Sequence, residues 1–252
     1  KQNYPSIILI ESKENLGFAK ANNLGMRYAL DNGGDYVFLL NQDAWLNQTN
    51  TILELVKQSA LNSEYGILSP LQLYGSGKKI AQDTQTHYLY KSDLNTNDFV
   101  SDLYFNRLKD VYETPYVCAA SWLIPIEVVK SIGGFDPLFY HYGEDDNYLQ
   151  RVHYWGWKVG ICPKVNICHD YEGRPLSHMT KYLDWKKFLL IDIGDINKDI
   201  DINSFLKLKL KALFLLCFRI NLKSIKITYK EYLYLKKNKE QLITSRRNNK
   251  TN

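Results

Sequence analysis

The chain has 252 residues, of which 45% are hydrophobic and 23% charged. That balance excludes a disordered chain, and four cysteines exclude a small disulfide-built scaffold. The net charge of +5 averages two unlike parts. Asn203 to Asn252 holds thirteen Lys/Arg against two Glu, a surplus of +11, which leaves −6 on the first 202 residues. An acidic body with a basic tail points to a tail that meets an anionic surface. No run reaches the roughly 18 apolar residues of a membrane-spanning helix. Aromatic residues make up 13% of the chain, with 19 tyrosines, which suits either ring faces packed on sugars or a tyrosine-rich surface.

In chain order, the sequence opens at Lys1 without an initiator methionine or signal-peptide pattern, and it reads as a fold entered partway. Ser6 to Ile10 predicts a buried strand. Phe18 to Leu30 predicts a helix, with Ala19, Asn22, Asn23, Met26, Ala29 and Leu30 on one face and Gly33-Gly34 as its stop. Tyr36 to Leu40 is a second strand, Asn50 to Leu61 a helix, and Gly66 to Ser69 a third strand. This alternation predicts a mostly parallel central sheet flanked by helices. Tyr74 to Thr114 is a polar excursion without clear period. Tyr116 to Pro125 reads as a strand, Ile126 to Ile132 as a short helix, and a helix runs from Gly143 to about Trp155. Val159 to His169 alternates as a strand broken at Pro163. A Leu/Ile/Lys-rich tail follows, in which Leu206 to Lys211 fits strand and helix periods equally. The expected organisation is a domain over 1–181 and a basic, helical C-terminal extension over 182–252.

Three clusters carry chemistry. Asn41-Gln42-Asp43 ends an apolar strand, the edge at which open α/β sheets bind ligands; a turn or helix cap is the alternative. Glu144, Asp145 and Asp146 crowd the first turn of a helix. Helical spacing sends Asp145 toward the core with Tyr148, Leu149 and Val152, Asp146 toward water, and Glu144 over Asn147 and Arg151. An acid on an apolar helix face is costly without a task or a partner, although a negatively charged first turn alone also fits. His169 ends the last core strand, as a ligand or as a structural histidine, while Cys162 and Cys168 lack zinc-knuckle spacing. No Gly-x-Ser-x-Gly elbow, Walker loop or dinucleotide fingerprint occurs, so serine hydrolases, P-loop enzymes and Rossmann dehydrogenases have no support.

Taken in order, Asn15 to Asn23, Leu39 to Asp43, Gly133 to Asp136, Gly143 to Arg151 and then His169 resemble the family 2 glycosyltransferases of the GT-A fold, bacterial rhamnosyl- and galactosyltransferases among them. The resemblance spans about Ile7 to Gly173. It implies an α/β, GT-A-type nucleotide-diphospho-sugar transferase fold. Asp43 matches the last acid of the metal-binding Asp-x-Asp motif, with Asn41 in place of the first, and His169 matches the histidine that completes the site for Mg²⁺ or Mn²⁺. Asp145, with Glu144 beside it, matches the catalytic base. Gly17, Asn22, Asn41, Asp43 and Arg151 are the implied nucleotide and donor contacts. Trp122 and Tyr142, near these motifs in sequence, are candidate stacking partners for an acceptor sugar, with core packing as the alternative for each.

The implied activity is inverting transfer from a nucleotide-diphospho-sugar to a saccharide or lipid-linked acceptor, in bacterial surface-polysaccharide synthesis. It would be cytoplasmic, peripheral at the inner face of the plasma membrane, with an anionic membrane surface as a further partner. The family's first strand and helix, which grip the base and ribose, precede the point at which this sequence begins. A nucleotide-sugar binding module without catalysis is the alternative. Nucleic-acid binding through the basic tail is a remote one, since no recognised motif accompanies the charge, and no nucleic-acid partner is expected.

Overall fold

A computed structural model describes residues 6–81, 98–140, 142–170, 172, 185–218 and 222–251. Helix α1 (Gly17–Asp31) buries Ala19 and Met26 on the predicted face and ends where Gly33 takes φ +69°. Strands β1 (Tyr36–Leu40) and β2 (Ala44–Leu46) flank the Asn41–Asp43 turn. Helix α2 (Thr51–Leu61) leads into β3 (Tyr65–Tyr74), whose first eight residues are all buried, the pattern of a central strand covered on both faces. Helix α3 (Asp98–Tyr104), β4 (Tyr112–Glu113), β5 (Ser121–Pro125), α4 (Ile126–Ile132), α5 (Glu144–Tyr154) and β6 (Lys158–His169) complete the body. Helices α6 (Trp185–Gly194), α7 (Ile202–Phe218) and α8 (Leu222–Lys250) form the tail.

The strands form a six-stranded sheet in the order β1-β5-β3-β6-β2, with β4 also paired to β6. The class is α/β with flanking helices, as expected, but the sheet is mixed rather than mostly parallel. Among the described strands only β3 and β6 pair in parallel, while β5 inserts antiparallel between β1 and β3. Strands β1, β3 and β6 do share one direction, and that is the part of a strand–helix alternation a sequence can express. Pro163, which has no N–H to give a ladder, falls within the register break of β6 between Cys162 and Asn166. On the far side of β6, β4 pairs before that break and β2 after it.

Several local expectations are corrected. Ser6 to Ile10 is not a strand, and Ile7 to Ile10 stand 48–62% exposed. Of Tyr116 to Pro125, only Ser121–Pro125 joins the sheet. The Tyr74–Thr114 excursion contains α3 and β4, while its residues 82–97 lie outside the described part. Leu206 to Lys211 is helical.

The main core lies between the sheet and α1, α4 and α5. At its centre Trp122 stacks on Phe135, with ring centroids 6.0 Å apart, and Tyr148 closes against both. A smaller cluster under α2 centres on Leu55 and Leu68. A third joins Phe139 to Leu190, Ile193, Ile202, Leu235 and Leu242, fastening the C-terminal helices to the body. Polar ties reinforce that joint. Both Ser245 Oγ and Asn249 Nδ2 donate to Oδ2 of Asp136, and Arg246 donates to the carbonyls of Ile193, Asp195 and Lys198.

Candidate active site

The shared direction of β1, β3 and β6 brings their carboxyl ends to one edge of the sheet, beside the amino end of β5. Leu40 pairs with Ser121, and both Tyr74 and Ala44 pair with His169. The Asn41–Asp43 turn is pinned there from two sides. Asn41 N–H donates to the Ala120 carbonyl at 2.9 Å, and Asp170 N–H donates to the Asp43 carbonyl at 2.9 Å. The geometry sets Asp43 Oδ1 3.3 Å from His169 Nε2, with the two side chains 31% and 12% exposed. Two sequence-predicted residues, 126 positions apart, therefore meet. A carboxylate oxygen and an imidazole nitrogen at this spacing offer two ligands, enough for a divalent ion whose shell is completed by phosphate oxygens and water. No group of three or more His, Cys, Asp or Glu gathers for a metal among the described residues.

Asp145 reaches the same end of the sheet from α5. Gly143 precedes that helix at φ +92°, and a Cβ there would lie 3.1 Å from Phe139 and Ile191, so only glycine makes the turn. Asp145 Oδ2 accepts the Tyr116 hydroxyl at 2.7 Å, and Oδ1 accepts the Asp146 N–H at 3.0 Å. The Ala119 N–H also faces this carboxylate. Ala119 adjoins Ala120, the acceptor for Asn41, so a short stretch of backbone links the Asp145 carboxylate to the Asp43–His169 pair.

Burial holds Asp145 above the ordinary carboxylate range, opposed by the Tyr116 hydrogen bond. Burial, followed by the nearby Asp145 charge, pushes Glu144 up to about 7, while the Lys187 ammonium acts in the opposite sense. The helical-face assignment needs adjustment here. Glu144 is the buried member of the triplet, and both Asp145 and Asp146 are half-buried.

The other predicted residues divide. Gly17 takes φ +72°, and a Cβ there would lie 3.0 Å from the Tyr140 carbonyl, so the start of α1 abuts the loop that precedes α5. Asn22 donates to the Phe18 carbonyl of its own helix. Its neighbour Asn23, given no role in the sequence reading, clamps Phe135 in both directions at 2.7 and 2.8 Å. Tyr142 is half-buried just before Gly143; its carbonyl accepts Lys187 Nζ, and the same ammonium lies 5.5 Å from its ring centroid.

Two assignments are corrected. Arg151 is buried, and its terminal nitrogens donate to the carbonyls of Ile132 and Gly134 at 2.8 and 2.7 Å, so it braces a turn instead of facing a donor. Trp122 is wholly buried in the aromatic core and presents no face to a sugar. Sequence reasoning missed Tyr116 and Lys187, whose types and spacing carry no motif.

No family model matches the chain. Over 205 residues it is 28% identical to the low-salt glycan biosynthesis hexosyltransferase Agl10 of Haloferax volcanii, an alignment covering 79% of this chain and 64% of the relative. Over 156 residues it is 22% identical to the dTDP-rhamnosyl transferase RfbF of Shigella flexneri, covering 62% of this chain and 49% of the relative. The chain thus spans between about half and two-thirds of the length of these curated relatives. A solved structure of GalNAc-T7 with UDP, GalNAc and Mn²⁺ matches at a TM-score of 0.49 and 16% identity, over 66% of this chain and 33% of that one. In sequence, the chain is similar to glycosyltransferases.

Proposed function

We propose that this chain carries out metal-dependent, inverting transfer of a sugar from a nucleotide-diphospho-sugar to a hydroxyl of a saccharide or lipid-linked acceptor. The observation that carries the reading is the convergence of two sites on one sheet end: the Asp43–His169 pair and the Tyr116-held Asp145 carboxylate. The similarity to two curated sugar transferases supports it.

In this mechanism Asp145 accepts the proton of the acceptor hydroxyl as that oxygen bonds to the anomeric carbon. The bond from that carbon to the diphosphate breaks on the opposite face, and its electron pair leaves with the nucleoside diphosphate. A carboxylate whose affinity for protons is raised by burial is a better base at neutral pH than an ordinary one, and a positioned base contributes roughly 10²- to 10⁴-fold. Asp43 and His169 would hold Mg²⁺ or Mn²⁺, which when bound supplies Lewis-acid stabilisation of the departing diphosphate. Gly17 and Asn41 are the proposed contacts for the nucleotide. The setting that fits a lipid-linked acceptor is the cytoplasmic face of the plasma membrane, in surface-polysaccharide synthesis.

A thermal-shift panel of UDP, dTDP, GDP and CMP with Mn²⁺, and then with EDTA, tests the donor site. A stabilisation by one nucleotide that EDTA abolishes is the expected result. Equal response with and without metal contradicts the assignment of Asp43 and His169.

A further inference from the structure

Helices α7 and α8 run as a hairpin whose base is built into the body and whose distal part is not. The base holds the buried residues Ile202, Leu235 and Leu242. Among the described residues, none between Asn203 and Tyr234 is buried. That stretch nonetheless presents large apolar side chains to solvent. On α7 these are Leu208, Leu210, Phe214 and Leu215, between 48% and 63% exposed. On α8 they are Leu222, Ile227, Tyr229 and Leu233, between 46% and 75% exposed. At 100° per residue, each set falls on one side of its helix, away from the inward face of α7 formed by Phe205, Lys209, Ala212, Leu213 and Leu216.

The charge on these outward faces is of one sign. Lys207 and Lys211 lie among the exposed apolar residues of α7, and Lys223, Lys226 and Lys230 among those of α8. No Asp or Glu occurs between Asn203 and Lys230. Lys209, the lysine that turns inward, is already paired with Glu231 at 2.6 Å. Exposed leucine and phenylalanine interleaved with lysine, on helices the body does not cover, is the surface chemistry of an element that lies in a bilayer interface. No described helix is long and apolar enough to cross a membrane.

We propose that the distal half of the α7–α8 hairpin is a docking surface for an anionic lipid bilayer, with Phe214, Leu215 and Leu222 entering the headgroup–acyl boundary and the outward lysines meeting lipid phosphates. This goes beyond the transfer reaction and does not depend on it. Complementarity selects the occupant. A nucleic acid would satisfy the lysines but leave the leucines and isoleucine in water. A second copy packed through the same face would set five lysines against five lysines.

The test is co-sedimentation of the full chain with vesicles of phosphatidylcholine alone, and of phosphatidylcholine with one part in three phosphatidylglycerol. The chain is expected to partition onto the anionic vesicles and to be released by about 0.5 M salt. Replacing Lys207 and Lys211 together by alanine should weaken binding about thirtyfold, from about 1 kcal/mol per lysine near an anionic leaflet. Replacing Phe214 and Leu215 together by serine should lower binding even at low salt, where the lysines are intact. Both pairs are exposed, and an unchanged thermal midpoint checks that each variant is folded. Equal binding to neutral and anionic vesicles, binding to neither, or variants that bind like wild type would overturn the proposal. So would preferential binding to single-stranded DNA or RNA, or self-association through this face. Nucleotide-dependent thermal shift, read on the same samples, separates failure here from failure of the transferase reading.

Discussion

The Tyr116 hydroxyl donates a 2.7 Å hydrogen bond to Oδ2 of Asp145, tying the irregular segment before β5 to the first turn of α5. The tyrosine is itself fixed. Thr114, fully buried, donates its hydroxyl to the Tyr116 carbonyl, and its N–H is bonded to the Val159 carbonyl. Tyr116 thus holds the charged form of Asp145, the proposed base, in one orientation.

Replacing Tyr116 by phenylalanine keeps the ring and removes the hydroxyl. The hydrogen bond favours ionised Asp145, so its loss moves the carboxyl further upward. The acid limb of the pH–rate profile should shift to higher pH. At neutral pH kcat/KM should fall about tenfold to a hundredfold, the worth of a hydrogen bond to a charged group. A profile with an unmoved acid limb would remove Tyr116 from the mechanism.

Glu144 makes stability depend on pH. Its carboxyl rises from 4.5 to about 7 on folding, so the folded state holds the proton more tightly. The stability this supplies is complete below about 4.5 and is lost as pH climbs through about 7. Glu144→Gln should therefore gain most at pH 8, by about 3 kcal/mol at most, and little at pH 4. Urea midpoints of both proteins at the two pH values measure the difference.

Arg151 separates a structural role from a binding role. Its guanidinium braces the Ile132 and Gly134 carbonyls and lies 4.8 Å from the Tyr148 ring centroid. Arg151→Ala strands both carbonyls and opens a cavity, at a cost of about 3–5 kcal/mol. Urea unfolding should show that loss, while nucleotide affinity measured on the folded fraction stays near wild type. A selective loss of nucleotide binding would return Arg151 to the donor site.

These results mark what the sequence could express. Helices α1, α4 and α5 were legible because apolar spacing and glycine stops act locally: Ala19 and Met26 define one face, and Gly143 opens a helix. The Asp43–His169 encounter was legible only through the family resemblance; the residues alone set each near the end of an apolar strand and left His169 open between a ligand and a structural histidine. The insertion of β5 between β1 and β3 was not, since pairing Leu40 with Ser121 is a long-range choice that neither segment encodes alone. Arg151 looked like a ligand residue through the family resemblance, and its partners, backbone carbonyls, leave no side-chain pattern that would say otherwise. For Trp122 the sequence left sugar stacking and core packing both open, because aromatic type says nothing of which face of the sheet it occupies; the structure chooses the core. Ile7 to Ile10 read as a buried strand on composition, yet no described strand pairs with them.

Asp43 and His169 carry the metal prediction. Asp43→Asn or His169→Ala removes one of the two proposed protein ligands, so the Mn²⁺ concentration needed for half-maximal nucleotide stabilisation should rise at least about tenfold. Without metal, Asp43→Asn should change stability little, since its side chain is 31% exposed, whereas His169→Ala, at 12% exposed, should lower it. A Mn²⁺ titration followed by thermal shift reads both quantities.

The measurement that bears most directly on the transfer reaction compares wild type with Asp145→Asn for nucleoside diphosphate release from the donor sugar and, separately, for Mn²⁺-dependent nucleotide binding. The substitution keeps shape and removes the proton acceptor. Release in the presence of acceptor should fall by at least about 10²-fold while binding is retained. Retained release, or binding lost together with release, would contradict the assignment of Asp145 as the base.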